Sequence, residues 1–171
     1  MSRKSRHNQK LKKLSREAKI KKYYDANTLT LTECVREIEQ MNKTGFLGVT
    51  SALAIGEALK NILQKSAHEE GKKKARRFVE FLAIQCKSRC LEIVTAQKVN
   101  TEMVWILQNT ELEVSDAHHL AIAIGQKCQK LVSADPDFCN LAEKTKKEIG
   151  EKFNFPEFDI EKKSVLKQEG E

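Results

Sequence analysis

Two spacings of apolar residues alternate along the chain. Ile20, Tyr23 and Tyr24 lead into Asp25 and predict a first strand, diluted by the lysines of "KIKKYY". In "TLTLTECVREIEQMNK" Leu31, Cys34, Val35 and Ile38 fall three and four residues apart, and Thr30 stands three before Glu33. That is a helix entered through a capping box. "FLGV" predicts a short extended piece, after which Thr50 or Ser51 caps the helix "ALAIGEALKNILQK". A third helical pattern covers 72–88, with Ala75, Phe78, Val79, Leu82 and Cys86 on one face. "CLEIVTA" has the alternation of a strand, and "NTEMVWILQN" reads as a short helix from Asn100.

The stretch "SDAHHLAIAIGQKCQKLVSADPDF" supplies a helix capped by Ser115, a strand at "KLVSA" and a last helix from Pro136; a final strand is expected within "FDIEKKSVL". Strands separated by helices imply βαβ units. The expected fold is α/β, a three-layer α/β/α arrangement around a mainly parallel sheet. With 171 residues and 40% apolar composition the chain can bury one core. The expected organisation is an arm at 1–19, a domain at 20–166 and a tail at 167–171.

Charge changes this picture at one end. Residues 1–22 hold ten Lys/Arg against Glu17 alone, so under a net charge of +7 the rest of the chain is slightly acidic. Such an arm attracts a polyanion through its phosphates, with Lys12, Lys13 and Arg16 on a short helical stretch, or it is a solvated tail. A second cluster, Lys72, Lys73, Lys74, Arg76 and Arg77, sits at the start of the third helix. It reads either as a nucleic-acid contact or as a solvated face in which Arg76 and Arg77 pair with Glu80. No apolar run reaches the roughly 18 residues of a membrane span, and no secretory signal is visible, so a cytoplasmic protein is expected. The five scattered cysteines form no CxxC pair and read as reduced thiols. Cys86 and Cys90, one helical turn apart, lack a histidine pair for zinc.

Four acids carry the candidate chemistry. Asp25 and Asp135 each follow a strand, where the loops of a parallel sheet converge on one crevice. Asp116 lies in the first turn of a helix. Each aspartate also suits helix capping, Asp135 before Pro136 above all, with Asp137 favoured by the helix dipole. Glu57 lies on a helix face that begins apolar; pairing with Lys60 is its solvated alternative. Four acids meeting in one crevice would repel unless a hard divalent ion such as Mg²⁺ or Mn²⁺ neutralised them. His118 and His119 read as packing or hydrogen-bonding residues, and Trp105, Phe78 and Phe81 as core.

"YYDAN", "TSALAIGE", "SDAHHLAIA" and "LVSADPDF" resemble, in order and spacing, the acidic motifs of PIN-domain ribonucleases, the family that includes the VapC toxins. The resemblance spans roughly 20–140. It implies Asp25, Glu57, Asp116 and Asp135 as catalytic metal ligands, assisted by Asp137, with Asn27 and Ser133 at the family's small polar positions. It further implies Mg²⁺ or Mn²⁺ as cofactor, RNA as substrate and metal-activated water as the attacking group, and, for a toxin, a small antitoxin partner and a homodimer. The lysine-diluted first strand and the basic arm depart from the toxin pattern. Two rivals stand beside this reading. One is an inactive PIN-like scaffold binding RNA or protein. The other is a haloacid-dehalogenase-type phosphatase, suggested by "YYDANTLTL" but lacking the second aspartate, where Asn27 stands.

Overall fold

The alternating periods fold into helices on both faces of a parallel sheet. A computed structural model describes residues 20–95, 100–155 and 157–163; the arm at 1–19, with Lys12, Lys13 and Arg16, and the tail at 167–171 lie outside the described residues. Strands β1 (Ile20–Tyr24), β2 (Phe46–Ser51), β3 (Leu91–Val94), β4 (Lys130–Ser133) and β5 (Asp159–Lys162) make one sheet, ordered β3-β2-β1-β4-β5. Every adjacent pair is parallel, with Ile20 beside Phe46, Gly48 beside Leu91, and Lys130 beside both Lys22 and Asp159. The helices are α1 (Thr32–Thr44), α2 (Ala52–Gln64), α3 (His68–Lys87), α4 (Asn100–Asn109), α5 (Val114–Gly125), α6 (Pro136–Cys139) and α7 (Glu143–Lys152).

The chain winds outward from β1 to β3, then returns to place β4 on the other side of β1. The strand order therefore reverses between β1 and β4, and a crevice opens at their carboxyl ends. Successive strand residues face opposite layers. Tyr23 and Leu131 join a core with Leu120 to Ile124 of α5, Ile106 of α4 and Ile149 of α7. Tyr24 and Val132 join the other core, with Ile38 and Met41 of α1, Ala54 and Ala58 of α2, and Phe78 and Leu82 of α3. Phe78 is buried, while Phe81 and Trp105 are half-buried at the core margins.

The lysines of β1 are accommodated by pairing. Lys22 is buried, bonded to Glu37 of α1 and, at 3.0 Å, to Glu161 of β5. Lys163 reaches the same Glu161 at 2.9 Å, and Glu33 of α1 at 2.9 Å. This network ties α1 across the strands that carry the crevice.

Several element boundaries differ from expectation. The capping box at Thr30 does not form: residues 28–30 make a 3₁₀ turn, Thr30 turns its hydroxyl back to the Asn27 carbonyl at 3.2 Å, and α1 starts after Leu31. The third helix begins at His68, so its basic cluster lies behind Glu69 and Glu70, which suit the helix N-terminus. It ends at Lys87, which removes Cys90 from the helix of Cys86. Cys34, Cys86, Cys90 and Cys128 are free thiols. Ser115 does not cap α5; Glu113 occupies that position. Ser51 does cap α2, accepting the Ala54 N–H at 3.1 Å.

Candidate active site

The crevice is built on two aspartates that end the central strands. Asp25 follows β1 and is 2% exposed. Its Oδ1 accepts the Thr28 N–H at 2.8 Å and the Thr28 hydroxyl at 2.9 Å, and its Oδ2 accepts the Ser133 hydroxyl. Burial pushes the Asp25 carboxyl above its ordinary range, against the pull of the Ser133 and Thr28 hydrogen bonds. Ser133 also accepts the Asp135 N–H at 2.9 Å, so one hydroxyl joins the ends of β1 and β4.

Asp135 caps α6, with Oδ1 accepting the Asp137 N–H at 2.8 Å and Pro136 in the first turn. Across from it stands Asp116, half-buried in the first turn of α5. Carboxylate oxygens of Asp116, Asp135 and Asp137 all lie within 4.8 Å of one another. Burial first, then the charge of Asp135, raises the Asp116 carboxyl to about 6. An all-oxygen, anionic donor set with mutual repulsion fits a hard divalent cation and not a nitrogen- or sulfur-seeking one.

Glu57 stands apart from this trio. Its carboxylate meets His119 Nε2 at 2.8 Å, while His119 Nδ1 meets the Tyr23 hydroxyl at 2.8 Å and that hydroxyl meets Ser51 Oγ at 2.9 Å. With the imidazole protonated on Nε2, every proton of the chain has an acceptor: Ser51 donates to Tyr23, Tyr23 to His119, and His119 to Glu57. His119 is 3% exposed. It is the hydrogen-bonding residue expected, and it fixes Glu57 from inside the fold.

Other expected residues have simpler placements. Asn27 is exposed at the entry to the 3₁₀ turn and makes no side-chain cap. Lys73, Arg76 and Arg77 are exposed on α3, which packs mainly on α2 and β3. Arg76 pairs with Glu80 at 3.0 Å. Thr28 escaped the sequence reading, although an Asp followed three residues later by Thr is the signature of a local side-chain turn. The Glu57–His119–Tyr23 link joins three distant segments and has no local signature.

The family model of the PIN domain matches residues 29–144. The chain belongs to the PIN-domain family. The PIN match takes in Glu57, Asp116, Asp135 and Asp137, and begins after Asp25. Among solved structures, the chain is similar to a toxin–antitoxin complex from Klebsiella pneumoniae, with 15% identity over 70% of this chain and 91% of that one, at a TM-score of 0.46. It is also similar to VapC20 of Mycobacterium tuberculosis, a sarcin-ricin-loop-cleaving toxin, with 13% identity over 69% and 92%, at a TM-score of 0.48. No curated protein matches the chain. PIN membership sets the phosphatase reading aside.

Proposed function

We propose that this PIN-domain protein is an endoribonuclease that uses Mg²⁺ or Mn²⁺. The observation that carries the reading is the convergence of Asp116, Asp135 and Asp137 within 4.8 Å at the point where the strand order reverses. A cation held there supplies a lowered pKa for water and neutralises charge on a phosphodiester during its hydrolysis. Asp135 caps α6 through Oδ1, with Pro136 in the first turn, and contributes to the trio. Asp116 faces it from α5. Asp25 lies outside that trio: it uses three of roughly four acceptor sites on Thr28 and Ser133, and through Ser133, which also accepts the Asp135 N–H, it fixes the end of β4 beneath Asp135. Glu57, held by His119, stands outside the trio. The narrower form of the proposal is a toxin with a small antitoxin as partner; an adjacent reading frame encoding such a protein would support it.

A scaffold without activity has one observation in its favour: Asp25 is buried and its oxygens are engaged within the protein. The test is cleavage of structured RNA with Mg²⁺, with Mn²⁺ and with chelator. The metals should activate. Asp25→Asn and Asp135→Asn should each lower kcat/KM about a hundredfold or more, roughly 2.7 kcal/mol of transition-state stabilisation, with circular dichroism unchanged. Cleavage that ignores chelator and both substitutions would reject the mechanism in favour of the scaffold.

A further inference from the structure

A cavity of about 500 Å³ opens beside the acidic trio, between the end of α4, the loop into α5 and the turn from α6 to α7. Asn109, Glu111, Leu112, Asp137, Asn140 and Leu141 are among its lining residues. Asp137 belongs to both cavity and trio, so an occupant lies one side chain from the proposed point of cleavage. The size is that of a small-ligand site.

The lining says what kind of occupant fits. It carries two acids, Glu111 and Asp137, and no Lys or Arg, so a phosphate would be repelled and a neutral group admitted. Leu112, 7% exposed, and half-buried Leu141 offer apolar surface to a ring. Glu111 and Asp137 can only accept, while Asn140 and Thr145 can accept or donate. Asn109 uses one of its two Nδ2 hydrogens on the Trp105 carbonyl at 2.7 Å, and its Oδ1 can accept. Thr110 donates its hydroxyl inward to the Ile106 carbonyl at 2.8 Å. An acceptor-rich, apolar-floored cavity selects a flat ligand that donates. Adenine, cytosine and guanine carry exocyclic amino groups; uracil offers only its N3–H, flanked by two carbonyl oxygens that the carboxylates of Glu111 and Asp137 would repel.

We propose that this cavity receives the base next to the cleaved bond and prefers an amino-bearing base to uracil. The assignment rests on the ribonuclease reading. It is tested on the full chain in two arms. In the first, RNAs differing only at the nucleotides flanking the cleaved bond are compared with Mg²⁺ or Mn²⁺ present. Amino-bearing bases at one flanking position should be cleaved at least about fivefold faster than uridine, about 1 kcal/mol. Glu111→Ala and Asn109→Ala, both at exposed positions, should erase that preference. In the second arm, adenosine, cytidine, guanosine and uridine are titrated without metal into protein with labelled asparagine side chains. The first three should shift the Asn109 and Asn140 amide signals at lower concentration than uridine.

Cleavage without preference at either flanking position overturns the proposal, as does a preference that survives both substitutions. If no metal-dependent cleavage occurs, the ribonuclease reading fails. Selective nucleoside binding would then uphold the cavity as a base site, and equal or absent binding would overturn it too.

Discussion

Three lysines converge on one carboxylate: Glu161 lies 3.0 Å from Lys22, 3.4 Å from Lys130 and 2.9 Å from Lys163. Burial alone would push this carboxyl up. The hydrogen bonds from Lys163 and Lys22, together with their charges, outweigh it and hold the group at about 2, against 4.5 for a free glutamate. A folded value below the unfolded one gives stability that is fully present above pH 4.5 and is lost as pH falls toward 2. The side chain is 21% exposed, so the effect is on the order of 2–3 kcal/mol. Glu161→Gln should therefore lower the free energy of unfolding by about that amount at pH 7. The gap from the parent should narrow below pH 4.5 and close near pH 2. Denaturant titrations across that range check the prediction; a gap independent of pH would show that packing, not charge, holds the residue. Because Glu161 and Lys22 bridge β5, β1 and α1, the same change should loosen the floor under Asp25 and Ser133.

At the scale of elements, features set by neighbouring residues were legible and features set by distant ones were not. β1 ends just before Asp25, Ser51 caps α2, and Asp135 with Pro136 opens α6, because each depends on a few adjacent residues. The start of α1 was misplaced because Asp25 takes the Thr28 N–H and forces a 3₁₀ turn first. The start of α5 was misplaced because Leu112 and Ala117, just outside and just inside the helix, are buried in one core and set its entry ahead of Ser115. Lys22 looked like a flaw in a strand because its partners Glu37 and Glu161 are far along the chain. The three aspartates of the trio were found by their place at strand ends and helix starts; the His119 tether on Glu57 needed the fold. The double duty of Asp135 can be separated at this scale. Asn caps as well as Asp, so Asp135→Asn should melt with the parent yet lose cleavage. Asp135→Ala should lose cleavage and, in addition, about 1 kcal/mol of stability. Equal melting of the two variants would show that the cap contributes nothing.

For the proposed activity, the molecule as a whole has to bring a polyanion to a crevice lined with carboxylates. The N-termini of α5 and α6 lend partial positive charge there, but it is absorbed by the acids they carry. Part of the body's positive charge is engaged as well: Lys72 with Glu69 at 3.2 Å, Arg76 with Glu80 at 3.0 Å, and Lys22, Lys130 and Lys163 around Glu161. Residues 1–19 hold eight Lys/Arg against Glu17 alone. That segment is the obvious source of attraction for a phosphate backbone. At about 0.7 per phosphate contact on single-stranded RNA, eight cations set a ceiling of roughly 5–6 on their share of the slope of log affinity against log salt. Deleting residues 2–19 should weaken RNA binding most at low salt and reduce that slope by about 2 or more. The turnover rate at saturating RNA and the stabilisation by Mg²⁺ or Mn²⁺ should stay unchanged, because Asp116, Asp135 and Asp137 remain in place. Binding measured from 50 to 300 mM salt decides it. An unchanged slope would transfer the task to the exposed Lys73 and Arg77 of α3, and a fall in turnover at saturation would mean that the arm acts at the crevice itself.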